Sequence, residues 1–142
     1  MTIAAILSSK GREVISITTD QNVGDAVALL ATRRVGAVPV MEDGAVVGIF
    51  SERDVIHAIA AHGGEAMGRS VGDTMTAPPI TVAPSEAVIG ALSLMTRRRI
   101  RHLPVVEDGR VIGFVSIGDL VKYRIDKIEA DAEAMRSYIQ SA

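Results

Sequence analysis

The residues best placed to do chemistry sit in two short phrases, "GIFSERD" (48–54) and "GFVSIGD" (113–119). Ser51 lies three residues before Asp54, and Ser116 three before Asp119. One use of this pattern is helix capping. The hydroxyl accepts from a first-turn backbone N–H, and the carboxylate reaches back to the serine N–H. The usual acid in such a box is Glu or Gln, whereas both copies here have Asp, which reaches less far. The other use is ligand binding. A carboxylate at a strand-to-helix junction can accept from both hydroxyls of a ribose, while the free N–H groups and the serine meet a phosphate. Capping alone does not account for Gly48 and Gly113. A glycine there suits either a close backbone approach or a bulge.

The elements that position these phrases are themselves written twice. Shifting the sequence by 65 lays residues 15–56 on 80–121 without a gap. Ile15 then falls on Ile80, Ala26 on Ala91, Arg33 and Arg34 on Arg98 and Arg99, and "PVMEDGAVVG" on "PVVEDGRVIG". A repeat of this kind means one supersecondary unit used twice. The runs "VISIT" (14–18) and "PITVA" (79–83) predict strands. Asp20 and Ser85 are the expected helix N-caps. Val23, Ala26, Val27 and Leu30, repeated as Val88, Ala91, Leu92 and Met95, form one helical stripe. "AVPVM" and "AVVGIF" are strands joined by Asp-Gly, a hairpin signal, as are "HLPVV" and "RVIGFV". A second helix opens at Ser51 or Ser116. The order is strand, helix, strand, strand, helix, an α/β (α+β) fold. A unit of about 60 residues buries little of its own surface. Two copies facing one another would complete a shared core about a pseudo-two-fold axis, with clefts in related pairs.

The repeat resembles the CBS domain, and the two copies resemble a CBS pair, or Bateman module. The resemblance rests on the element order, on "RRVGAVPVMEDGAVVGIFSERDV" and "RRIRHLPVVEDGRVIGFVSIGDL", and on the intervening "VGDTMTAPPITV". It implies repeats at 1–65 and 66–124, followed by a helical extension at 125–142. It also implies an adenosine-containing ligand in the inter-repeat clefts: AMP, ADP, ATP or NAD(H), with S-adenosylmethionine less favoured. Carried over, Asp54 and Asp119 bind ribose, with Ser51 and Ser116 beside them. Ile15, Ile17 and Thr18, and Ile80, Thr81 and Val82, line the base pockets. Gly36 and Ala37 in one copy face Arg101 and His102 in the other, and Arg53 corresponds to Gly118. The clefts should therefore differ in phosphate affinity, so that one alone binds a mononucleotide tightly or a dinucleotide distinguishes them. The family also implies a disc-like homodimer.

Composition narrows the classes. No cysteine is present, which removes thiol catalysis and fits a reducing compartment. The start "MTIAAILSSKG" lacks the basic residues and apolar length of a signal peptide. No apolar run is long enough to span a bilayer. A net charge of −2 gives no pull toward nucleic acid. The one basic stretch, "TRRRIR" (96–101), lacks stacking aromatics and reads first as a helix C-terminus, then as a phosphate contact. His57, His62 and His102 show no metal-ligand spacing. No nucleophile elbow, P-loop or dinucleotide glycine motif occurs, so no enzyme is expected. In the tail, Val121, Ile125, Ile128, Ala132, Met135 and Ile139 alternate spacings of four and three, an a/d seam that packs either on its own domain or on a second subunit. The expectation is a cytoplasmic sensor that binds an adenine nucleotide and signals to a separate protein. A ligand-free interaction scaffold is the alternative.

Overall fold

The computed structural model describes residues 1–141. Each copy is built on an antiparallel hairpin. In the first, β2 (Ala37–Glu42) pairs with β3 (Ala45–Ser51); in the second, β4 (His102–Glu107) pairs with β5 (Arg110–Ser116). Both turn through Asp-Gly. Asp43 and Gly44 have φ of 51° and 80°, and Asp108 and Gly109 have 52° and 76°, the left-handed pair that a two-residue turn requires. The helices α2 (Val23–Arg33) and α5 (Val88–Arg98) bury Val23, Ala26 and Leu30, and Val88, Ala91 and Met95. That is the stripe set by the 3.6-residue period. Both helices end on an arginine in the left-handed region, Arg34 and Arg99, each with φ 55°.

The N-caps differ from expectation. Asn22 caps α2, its side chain accepting from the Asp25 N–H, while Asp20 takes the Thr18 hydroxyl instead. The α5 N-cap position is Ala87, without a side-chain cap, so Ser85 has no such role. The first strand of each copy is also shorter than its β-branched run. β1 (Ile17–Thr18) pairs in parallel with Val40 and Met41 of β2. Its counterpart shrinks to one parallel bridge, Val82 to Val105.

The segments that precede each copy bond beside these caps. Helix α1 (Ile3–Lys10) packs on the second copy, not the first. The Ile3 N–H donates to the Glu86 carbonyl and the Val88 N–H to the Met1 carbonyl, and Ile3, Ile6 and Leu7 join Val88, Met95, Leu103 and Leu120 in a buried cluster. Helix α4 (Val71–Thr74) makes the matching contacts on the first copy. The Val23 N–H donates to the Arg69 carbonyl and the Val71 N–H to the Gln21 carbonyl, and Val71 joins Ile17, Val23, Leu30 and Phe50. The expected shared core is therefore two cores, each closed by the other copy's leading segment. A division at 65/66 follows the repeat in sequence; the packing exchanges these two pieces.

Gly48 and Gly113 owe their identity to this exchange. A Cβ on Gly113 would come within 2.5 Å of the Leu7 side chain, and one on Gly48 within 2.5 Å of Met75 Sδ and 2.9 Å of the Thr76 carbonyl. Each glycine also sits opposite a register shift in its hairpin. The close approach is thus made by a crossing segment. The last helices are α3 (Glu52–His62) and α6 (Ile117–Ser141). α6 runs unbroken past residue 124, and Leu120 is its one fully buried residue.

Candidate nucleotide site

The N-termini of α3 and α6 border one cavity of about 360 Å³. Both copies supply equivalent parts of its wall: Gly36, Ala37 and Ser51 from the first, Arg101, His102 and Ser116 from the second. The two ends are built alike. The Glu52 N–H donates to the Gly36 carbonyl at 3.0 Å, and the Ile117 N–H to the Arg101 carbonyl at 2.8 Å. One side of the wall is unmatched: Ile49, Thr76, Pro78, Pro79 and Ile80 line it. The cavity thus offers an apolar side, three hydroxyls and the cations Arg53, Arg99 and Arg101, against one carboxylate, Glu52. Apolar walls with a few convergent polar groups are the usual make-up of a small-molecule site.

Behind this wall lies Asp54, only 7% exposed. Its Oδ2 accepts from the Ser51 N–H at 2.9 Å and the Ser51 hydroxyl at 3.1 Å, and its Oδ1 accepts from the Thr76 hydroxyl at 2.7 Å. The Asp54 N–H donates to Ser51 Oγ at 3.4 Å, which completes the capping box. The hydroxyls of Ser51 and Thr76 therefore stand between the carboxylate and the cavity. Both donate toward Asp54; Ser51 Oγ spends one lone pair on the Asp54 N–H and keeps one, with those of Thr76 Oγ1, to accept from a ligand hydroxyl.

The second junction is built from the same phrase and is closed. The Ser116 N–H donates to Asp119 Oδ2 at 2.8 Å, and the Asp119 N–H to Ser116 Oγ at 3.1 Å. The same Oδ2 accepts from Lys10 Nζ at 2.6 Å, and this ammonium also donates to the Phe114 carbonyl at 2.6 Å. Burial alone would raise the Asp119 carboxyl. The Lys10 and Ser116 hydrogen bonds outweigh it and hold the carboxyl below its ordinary value. Beside it the His102 ring stacks on Phe114, centroids 5.7 Å apart. Burial, then the charges of Arg101 and Lys10, keep this imidazole below its usual 6.5 against the pull of Asp119 and Glu52.

The sequence explains the closure. Pro78 and Pro79 leave α4 a single turn, and the chain then runs extended so that Thr76 pairs with Ile49. The leading segment has no proline, so α1 continues to Lys10 and stops at Gly11, whose φ is 102°. This extra turn carries Lys10 onto Asp119. At the ring positions the copies differ again, with Ala37 and Ile49 in one and His102 and Phe114 in the other.

Of the residues named from the sequence, Gly36, Ala37, Ser51, Arg53, Ile80, Arg101, His102 and Ser116 meet at the cavity. Asp54 and Asp119 do not line it. Ile17 and Val82 are closed within the cores of their repeats, and Ile15 packs against the first core. Thr18 and Thr81, on the other face of the alternation, are exposed. Sequence reasoning missed Thr76, Arg99 and Lys10. Arg53 reaches the Arg99 carbonyl at 3.2 Å, and "TRRRIR" divides into Arg97 and Arg98 in the last turn of α5 and Arg99 and Arg101 on the cavity. Among the described residues no cluster of metal-ligating side chains occurs, and no helix is long and apolar enough to cross a membrane.

A family model described as CBS domain matches residues 7–61 and again 71–126. The mitochondrial CBS domain-containing protein CBSX3 of Arabidopsis thaliana is 38% identical over 98% of this chain and 72% of its own length. The crystal structure of the CBS-domain containing protein ATU1752 from Agrobacterium tumefaciens superposes with a TM-score of 0.85 at 38% identity, covering 87% of this chain and 99% of that one. The structure of CBSX2 in complex with AMP superposes with a TM-score of 0.73 at 27% identity, covering 82% and 91%.

Proposed function

The chain belongs to the CBS-domain family, with two repeats in tandem, and on that footing we propose that it is a non-catalytic regulatory module whose inter-repeat cavity binds an adenine nucleotide. The observation that carries this reading is the composition of the cavity wall. Ile49, Pro78, Pro79 and Ile80 suit a purine face, the Ser51 and Thr76 hydroxyls suit a ribose diol, and Arg53, Arg99 and Arg101 suit phosphate. Two helix N-termini add their positive ends on the same side. Asp54 acts through Ser51 and Thr76, fixing their protons so that both oxygens accept. The AMP bound to CBSX2 supports the ligand class. AMP, ADP, ATP and NAD(H) remain the set to be separated. One ligand binds per chain, because Lys10 holds Asp119 and closes the second junction. The first turn of α6 walls the cavity, so this helix carries the signal outward to a partner protein or across a homodimer. A cytoplasmic location belongs to the same proposal.

Thermal melting with AMP, ATP, NADH and S-adenosylmethionine tests it. A ligand at about 100 times its dissociation constant adds about 2.7 kcal/mol of stability. A rise with one of the first three, lost in Arg101→Ala, supports the proposal. No shift with any of them sinks it and leaves the ligand-free scaffold. One observation favours that second reading: both Asp54 and Asp119 spend an oxygen on the backbone N–H of their own cap.

A further inference from the structure

Helix α6 leaves its own module at Tyr123, and every described residue from 124 to 141 is exposed. The free stretch is about 27 Å long at 1.5 Å per residue. An isolated helix of this length is marginal in water without a partner for its apolar face. That face is well defined: Val121, Ile125, Ile128, Met135 and Ile139 are all exposed, and Ala132 completes the seam. Packing of this seam against its own domain, one of the two expectations for it, does not occur among the described residues.

The charges beside the seam select the partner. With Ile125, Ala132 and Ile139 at a and Val121, Ile128 and Met135 at d, Lys122, Glu129 and Arg136 fall at e, and Arg124 and Asp131 fall at g. In a parallel, in-register pair each g residue faces the e residue five positions later on the other helix. Arg124 then meets Glu129, and Asp131 meets Arg136, so both pairs are of opposite charge. An antiparallel pair with the same overlap instead sets Glu129 against Glu129, Asp131 against Asp131 and Lys122 against Arg136. All three are repulsive. Within the helix Asp131 already pairs with Lys127 at 3.4 Å and Arg136 with Glu133 at 2.7 Å. Those partners lie at c and b, away from the seam, and leave the cross-helix contacts open.

We propose that residues 121–139 form a parallel, in-register two-stranded coiled coil with a second copy of this chain. The register is fixed by Arg124–Glu129 and Asp131–Arg136 pairs made in both directions. The pairing does not depend on the nucleotide reading. It places two modules side by side at one end of a rod, the end at which α6 begins on the cavity wall.

The chain has no cysteine of its own, so single substitutions report directly. In a glutathione redox buffer, Ile125→Cys and Ile139→Cys should each give disulfide-linked dimers, because identical a positions face each other at disulfide distance. Ser137→Cys, on the outer face, should give no disulfide-linked dimer. Glu129→Arg should lower the yield of the Ile125→Cys dimer about fivefold, and Arg124→Glu added to it should restore the yield. These positions lie outside both cores, so folding of the module is not at issue. Equal cross-linking at all three cysteine positions, cross-linking at none, or preferential pairing of Ile125→Cys with Met135→Cys chains would overturn the proposal.

Discussion

The two junctions use the same seven-residue phrase and reach opposite outcomes. At the first, Asp54 is buried and bonded to neutral hydroxyls, and a cavity remains in front of them. At the second, Asp119 is more exposed, and the ammonium of Lys10 sits on it. The local capping geometry is alike in both, so the motif does not decide the difference. The crossing segments decide it. One is broken by Pro78 and Pro79 and presents Thr76; the other continues one turn and presents Lys10. A repeated motif therefore tells where a site can form, and the element that packs over it tells whether the site is open.

The largest effect should come from the crossing segments. Leu7 is fully buried in the second core, whereas Met75 is only half-buried beside the first. Leu7→Ala should cost about 2–5 kcal/mol, the range for a truncated core leucine. Met75→Ala should cost less. Chemical denaturation of both variants measures the contrast, and equal losses would mean that the two copies are closed alike. Next comes the open cavity itself. Arg101→Ala removes a charged donor from the phosphate side and should weaken AMP binding by about tenfold or more, the 1.5–3 kcal/mol scale of such a bond. Calorimetric titration of the variant reads this, and unchanged affinity would move the phosphate away from Arg101.

Lys10→Met tests the closed junction. It should raise the number of AMP molecules bound per chain from one to two, at a stability cost of no more than about 1 kcal/mol for a half-exposed ion pair. The pair also predicts an acid signature. The folded carboxyl of Asp119 is depressed, so its stabilisation is present above the unfolded value and disappears as pH falls through the folded one. The stability gap between wild type and Lys10→Met should therefore close below about pH 4, near the ordinary aspartate value. A gap that persists in acid would show that Lys10 acts by packing instead.

Much of this was legible in the sequence, and what was not has one cause. The hairpins, both core-facing helix stripes and the Ser-x-x-Asp caps follow from local rules, since Asp-Gly turns, the 3.6-residue period and capping geometry need only neighbouring residues. The N-caps fell at Asn22 and Ala87 instead of Asp20 and Ser85, because segments from the other copy bond beside them. Thr76 and Lys10 could not be found from the repeat. Their partners Asp54 and Asp119 are 22 and 109 positions away, and the crossing segments do not keep the 65-residue register. Asp54, expected to meet a ribose directly, is buried behind Ser51 and Thr76 and does not line the cavity. Arg99 lies in a run that reads as a helix end; it lines the cavity, whereas its counterpart Arg34, with the same φ of 55°, does not.

The smallest effect concerns His102, whose counterpart is Ala37. Its depressed value means that it is neutral near pH 7 and adds no charge to the phosphate side. Without nucleotide, the unfolded chain takes up the proton first as pH falls below the ordinary value. His102 then stabilises the fold above that value, and the contribution is lost in acid. With nucleotide bound the sign reverses, because a phosphate favours the imidazolium against the repulsion of Arg101 and Lys10. Between pH 7 and 5 the ligand-free protein should lose stability while its affinity for AMP, relative to His102→Asn, rises several-fold, on the order of 1 kcal/mol. If stability and relative affinity move in the same direction, His102 faces the Phe114 ring alone and takes no part in the difference between the junctions.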